Sequence, residues 1–188
     1  ILTGNGKGFY SLKSTLVTGN NPTAVSVLDL NLDGNLDIII TNQDSAAVRV
    51  FIGSGDGTFA TGVDYTTASG PSGIAAQDFN HDGKLDLAVS CVNTSKISIL
   101  LGNGDGTFQS KTDVSAGSQP GTAPIAIVAV DLDNDKVIDL VTANNSSNNA
   151  SVLVGNGDGT FRTPVEYTTG FGPVAIRSGD FNADGQQD

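Results

Sequence analysis

The chain has 188 residues and a formal net charge of −11, from twenty Asp and Glu against nine Lys and Arg, an acidity that excludes nucleic acid and anionic membrane surfaces as partners. One Glu, no Met and no Trp, set against 24 Gly and abundant Val, Ile, Thr, Asn and Asp, exclude a helical fold and favour short strands joined by tight turns. The lone Cys91 excludes a disulfide framework, and the longest apolar run, Ala123 to Val130, is too short to cross a bilayer.

In chain order, residues 1–9 read as the end of a preceding repeat, closing on the glycine-rich turn Gly4-Asn5-Gly6-Lys7-Gly8-Phe9. Ala24 to Leu28 reads as a strand and leads into an acidic loop, Asp29-Leu30-Asn31-Leu32-Asp33-Gly34-Asn35-Leu36-Asp37. Strands follow at Leu36 to Thr41 and Ala47 to Ile52, then a second glycine turn, Gly53-Ser54-Gly55-Asp56-Gly57-Thr58-Phe59, and a weaker strand at Gly62 to Thr67. The series then recurs: a strand at Gly73 to Ala76, an acidic loop at 78–86, strands at Leu85 to Val92 and Ile97 to Leu101, a glycine turn at 102–108. A third round carries the acidic loop at 131–139, the glycine turn at 155–161 and a strand at Pro164 to Thr169, and a fourth acidic loop occupies 180–188.

Internal repetition is the organising fact. The acidic loops start 49, 53 and 49 residues apart, and a glycine turn begins 24 residues after each of the first three starts. The one change of length falls in Ser118-Gln119-Pro120-Gly121-Thr122, as expected of a surface loop on a rigid repeat. Four strands per repeat of about fifty residues is the content of a β-propeller blade, with a parallel β-helix, whose repeats are usually shorter, as the alternative. We read residues 1–188 as one all-β repeat domain with blades at approximately 10–58, 59–107 and 108–160 and a partial blade at 161–188. The aromatic residues closing the glycine turns, Phe9, Phe59, Phe108 and Phe161, are expected to pack between blades, and Cys91 to lie buried in its apolar run.

Thirteen of the twenty acids lie in the four acidic loops. Oxygen-bearing side chains at positions 1, 3, 5 and 9, with a backbone carbonyl at position 7, suit a hard cation that takes six to eight oxygens, which is calcium. Zinc is disfavoured, because paired histidines and thiols are missing. The ligand sets are Asp29, Asn31, Asp33, Asn35 and Asp37; Asp78, Asn80, Asp82, Lys84 and Asp86; Asp131, Asp133, Asp135, Val137 and Asp139; and Asp180, Asn182, Asp184, Gln186 and Asp188. Asn35, Lys84, Val137 and Gln186 would act through their carbonyls. Metal-free Asp/Asn-rich turns are the alternative. Gly34, Gly83 and Gly185 at position 6 permit a positive φ, whereas Lys136 must adopt it at a cost, so the third loop is expected to bind more weakly or with distortion.

The nine-residue loop Asp78-Phe79-Asn80-His81-Asp82-Gly83-Lys84-Leu85-Asp86 and the turn Gly102-Asn103-Gly104-Asp105-Gly106-Thr107-Phe108, with their copies, resemble the FG-GAP and VCBS-type repeats of the integrin α-subunit β-propeller and of many secreted proteins. The resemblance implies a structural calcium ion in the hairpin between the first two strands of each blade, in a ring usually of seven blades. It also implies a secreted or cell-surface module for adhesion, with a glycan or extracellular protein as ligand. An accessory or carbohydrate-binding domain of a secreted polysaccharide-active enzyme is the alternative. His81 is the only histidine and occupies a non-ligand, solvent-facing position, so a nucleophilic triad lacks its base and the segment is expected to be non-catalytic. Further blades, from the same or another chain, are expected neighbours.

Overall fold

A computed structural model describes residues 1–188 and contains fourteen strands and no helix. Twelve of them form three four-stranded antiparallel meanders. The first is β3 (Pro22–Leu28), β4 (Asp37–Asn42), β5 (Ala47–Phe51) and β6 (Val63–Thr66). The second is β7 (Pro71–Gln77), β8 (Asp86–Cys91), β9 (Lys96–Leu100) and β10 (Thr112–Ser115); the third is β11 (Pro124–Val130), β12 (Asp139–Asn144), β13 (Asn149–Leu153) and β14 (Val165–Thr168). A hairpin of β1 (Leu2–Gly4) and β2 (Tyr10–Leu12) precedes them. These are the blades of a β-propeller, stacked as an open arc.

The sheets place the repeat junctions differently from the sequence. Each glycine turn lies inside a blade, between its third and fourth strands, with Gly53, Gly102 and Gly155 bridged to Phe59, Phe108 and Phe161. A cut after the turn assigns β6, β10 and β14 to the wrong sheet, because they pair with β5, β9 and β13 before them. The blades therefore span 22–66, 71–115 and 124–168 rather than 10–58, 59–107 and 108–160.

Packing follows the two-residue period of the strands. Leu87, Val89 and Cys91 of β8, with Leu100 and Phe108, meet Leu30, Ile39, Val48 and Val50 of the first blade. The alternate residues Ala88, Ile97 and Ile99, with Phe79, meet Ile127, Leu140 and Leu153 of the third. Every residue of β8 is buried, so a strand flanked on both faces reads as a continuous apolar run. Phe108 meets Tyr65 edge-on at 5.3 Å, and Phe161 meets Phe79 at 5.7 Å. These two phenylalanines thus bridge blades as expected.

Phe9 does not. Gly4 pairs with Tyr10 in the register in which Gly53 meets Phe59, and the Asn5 N–H bonds the Phe9 carbonyl as Ser54 bonds that of Thr58. The first turn has the same length as the others, with Phe9 in the place of Thr58 and Tyr10 in the place of Phe59, so Tyr10 is the counterpart of the bridging phenylalanines, and Phe9 is exposed.

The innermost strands are stitched by a repeated bond. Each opens on a proline followed by a bulge, and in the first two blades the next side chain reaches the following blade. Thr23 Oγ1 donates to the Pro71 carbonyl at 2.9 Å and Ser72 Oγ to the Pro124 carbonyl at 3.1 Å. A cleft of about 640 Å³ lies against these inner strands, lined by Thr23, Ser72, Ile125 and Arg177 among others, at the end remote from the acidic loops.

Candidate metal centre

Each of the first three acidic loops joins the first strand of a blade to the second, and all four fold around their own carboxylates. In the first loop the Gly34 N–H donates to Asp29 Oδ2 at 2.8 Å, the Asp33 N–H to Asp29 Oδ1 at 3.1 Å, and the Asn35 N–H to Asp33 Oδ1 at 2.8 Å. The second and fourth loops repeat this pattern through Asp78, Asp82 and Lys84 and through Asp180, Asp184 and Gln186. The N–H donors hold the Asp33 carboxyl below its usual range, that of Asn35 foremost.

Two residues per loop take positive φ. Position 6 does so as expected, in Gly34, Gly83, Gly185 and also Lys136 (φ 71°). Position 4 does so as well, in Leu32, His81, Asn134 and Ala183, at φ of 58°, 58°, 60° and 62°. Sequence reasoning missed the second set, because four unlike side chains carry no common signal. His81 is exposed, but its Nε2 lies 3.0 Å from the Lys136 carbonyl, tying the second loop to the third.

The closing carboxylates have a second role that the sequence reading left out. Asp37, Asp86 and Asp139 are buried, and each accepts two N–H bonds, one from within its loop and one from a glycine turn. Oδ1 accepts from Gly53, Gly102 and Gly155 at 2.7, 2.7 and 2.9 Å. Oδ2 accepts from Leu30, Phe79 and Leu132 at 2.8, 2.9 and 3.1 Å. The fixed spacing of sixteen residues from closing Asp to glycine was the available signal. A Cβ at Gly53, Gly102 or Gly155 would fall 2.2, 2.2 or 2.4 Å from the carbonyl of Leu36, Leu85 or Ile138, so only glycine lets the turn approach the loop. Burial pushes the Asp86 and Asp139 carboxyls up, and neighbouring loop carboxylates push the same way.

The third loop departs from the others where Lys136 replaces glycine. Its N–H still donates to Asp131 Oδ2 at 3.0 Å, but the Asp135 N–H, shared in the other loops between positions 1 and 3, keeps only Asp133 Oδ1 at 3.3 Å. Asp131 Oδ1 is left buried with no hydrogen-bond partner. Oxygens of Asp131, Asp133 and Asp139 lie within 4.8 Å of one another. An orphaned carboxylate oxygen amid two further carboxylates is unfavourable unless a cation joins it, and this all-oxygen donor set fits calcium. The fourth loop keeps the internal bonds, and Phe181 N–H donates to Asp188 Oδ2 at 2.9 Å. Its Asp188 is exposed, however, unlike Asp37, Asp86 and Asp139.

A sequence profile of the FG-GAP-like repeat matches residues 29–89, 89–142 and 131–188. The chain belongs to the FG-GAP-like repeat family. The first and third matches run from one acidic loop through a glycine turn to the next loop, and the second takes in a glycine turn and the loop after it, so every match holds both motifs. No curated protein sequence matches the chain. Among solved structures, the FG-GAP-like arc is similar to BBS1N, crystallised in complex with ARL6DN, at 17% identity and a TM-score of 0.60. The similarity covers 86% of this chain and 49% of the other, so the arc spans about half of BBS1N. The Photorhabdus luminescens Tc holotoxin pore matches at 20% identity and a TM-score of 0.49, over 87% of this chain and 7% of that one. The likeness to BBS1N speaks to fold.

Proposed function

We propose that the chain is a calcium-stabilised, non-catalytic module of an extracellular protein, used for adhesion or for holding a glycan or protein ligand. The observation that carries the calcium part is Asp131 Oδ1, a buried carboxylate oxygen with no partner beside Asp133 and Asp139. Side chains at positions 1, 3, 5 and 9 and the carbonyl at position 7 would hold the ion in each loop. The ion would neutralise the clustered carboxylates and, through Asp37, Asp86 and Asp139, stiffen the loop against the glycine turn. Extracellular placement rests on calcium, since open loops of this kind suit the high calcium levels found outside cells. The family's repeats are typically non-catalytic, which agrees with a single histidine that ties two loops together. The ligand surface we assign to the rim opposite the acidic loops, where the cleft beside Thr23 and Ser72 opens.

Thermal unfolding of chelated protein, with calcium or magnesium added back, tests the reading. An ion at a hundred times its dissociation constant stabilises by about 2.7 kcal/mol per site. At roughly 2–4 °C per kcal/mol for a domain of this size, calcium should raise the midpoint by many degrees and magnesium by far less. An unchanged midpoint in calcium would reduce the loops to acidic turns.

A further inference from the structure

The second and third acidic loops are joined to one another by hydrogen bonds, and the first and second are not. His81, at position 4 of the second loop, places Nε2 3.0 Å from the Lys136 carbonyl at position 6 of the third. A carbonyl only accepts, so Nε2 carries the proton. A Cβ added to Gly157 would lie 3.4 Å from His81 Nδ1, so the ring stands against the glycine turn of the third blade. That turn donates from the Gly159 N–H to the Phe79 carbonyl of the second loop at 3.0 Å, and from the Gly155 N–H to Asp139 Oδ1 of the third at 2.9 Å. Neither link between loops has a counterpart one blade earlier. Leu32 stands where His81 does and has nothing to donate, the Gly83 carbonyl accepts no bond, and Gly106 does not bond Leu30.

The ring bond lands on the one loop that departs from the common pattern, where Lys136 holds a φ of 71°. The peptide between Lys136 and Val137 is held at both edges. Its C=O accepts from His81, and its N–H donates to Asp135 Oδ1 at 2.8 Å. Asp135 and the Val137 carbonyl are the position-5 and position-7 ligands of the proposed third site. On the other side, His81 lies between Asn80 and Asp82, which supply positions 3 and 5 of the second. Whatever fixes Asn80 and Asp82 therefore fixes the backbone that carries the ring, and the ring fixes a peptide that aims a carboxylate of the third loop. Hydrogen bonds in series of this kind polarise and strengthen one another.

We infer, resting on the calcium reading above, that the second and third loops are a coupled pair of cation sites, with His81 the positioning residue between them and the first loop independent. Such coupling is reciprocal, so filling either site tightens the other.

Amide shifts in a calcium titration of the 188-residue chain test this. The N–H groups of Gly34, Gly83 and Lys136 each donate to the position-1 carboxylate of their own loop, so each reports one site. Asp82→Asn should weaken the second site and also raise the midpoint at Lys136 by about fivefold or more, leaving Gly34 unmoved. His81→Leu copies the residue that the first loop carries at the same φ of 58°. It should raise the Lys136 midpoint by itself, and Asp82→Asn should then add less there than in wild type. His81→Gln, whose amide N–H has a similar reach, should keep the wild-type value. His81 and Asp82 are both exposed, so the variants should fold. A Lys136 midpoint that stays put in Asp82→Asn or in His81→Leu, while Gly34 and Gly83 still respond to calcium, would overturn the coupling and leave the calcium reading standing. Equal losses at Gly34 and Lys136 in Asp82→Asn would overturn it in favour of a through-space charge effect. Amides that ignore calcium in every loop would overturn the calcium reading and the coupling with it.

Discussion

Lys136 shows how a single residue sets the character of a loop. A Cβ at Gly34, Gly83 or Gly185 meets no atom within 4 Å, so the preference for glycine at position 6 is torsional and not steric. Lys136 fits, but holding φ at 71° costs about 1–2 kcal/mol. Replacing it with glycine returns part of that to the unfolded chain's extra freedom, leaving a net gain of about 0.5–1 kcal/mol. Lys136→Gly should therefore raise the melting midpoint in chelator by a few degrees, and raise it further in calcium because a positive charge leaves the site. Lowered stability in both conditions would show that the lysine side chain makes a contact that matters. At this scale the oxygen-bearing positions that build each loop were legible, since alternate Asp and Asn recur at a fixed period, and Asp29 and Asp33 accept the loop's own N–H bonds. The left-handed residues at position 4 were not, because Leu32, His81, Asn134 and Ala183 share backbone geometry and no side-chain property.

At the scale of the element, the hairpin and the glycine turn act as one unit through the closing aspartate. Gly102 donates to Asp86 at 2.7 Å and lies so close to Leu85 that an added Cβ would reach its carbonyl at 2.2 Å. Gly102→Ala must push the turn off the loop, weakening a buried bond to a carboxylate, and should cost about 1–3 kcal/mol. Gly83→Ala in the same loop meets open space and should cost only about 1 kcal/mol, through φ. Chemical denaturation of the two variants measures both, and equal losses would mean that the Asp86 bond contributes no more than backbone torsion. The strands themselves were readable from alternation and β-branched runs. The blade junctions were not, because a glycine-rich turn looks the same whether it separates sheets or joins the third strand of one sheet to its fourth. Only pairing partners distinguish the two cases, as β6 does by pairing with β5. That Tyr10 and not Phe9 answers to Phe59 was masked by a phenylalanine standing where the other turns carry Thr58, Thr107 and Thr160, and the register with Gly4 shows it.

The whole molecule is a stack in which each blade touches only its neighbours, so stability should be distributed by position along the chain. The repeat period made that architecture legible, whereas the curvature of the arc arises from packing angles that no local pattern encodes. The second blade is covered on both faces, by the clusters around Leu87 and Val89 on one side and Ile97 and Ile99 on the other. The first and third blades each have one full interface, and β1–β2 is exposed throughout. Opening the middle blade breaks two interfaces, whereas releasing an end breaks at most one. Amide hydrogen exchange of dilute protein should therefore be slowest in β8 and β9, intermediate in β4, β5, β12 and β13, and fastest in β1, β2 and β14. Uniform exchange in all three blades would mean that the arc opens as a single cooperative unit, with the interfaces too strong for the ends to fray independently.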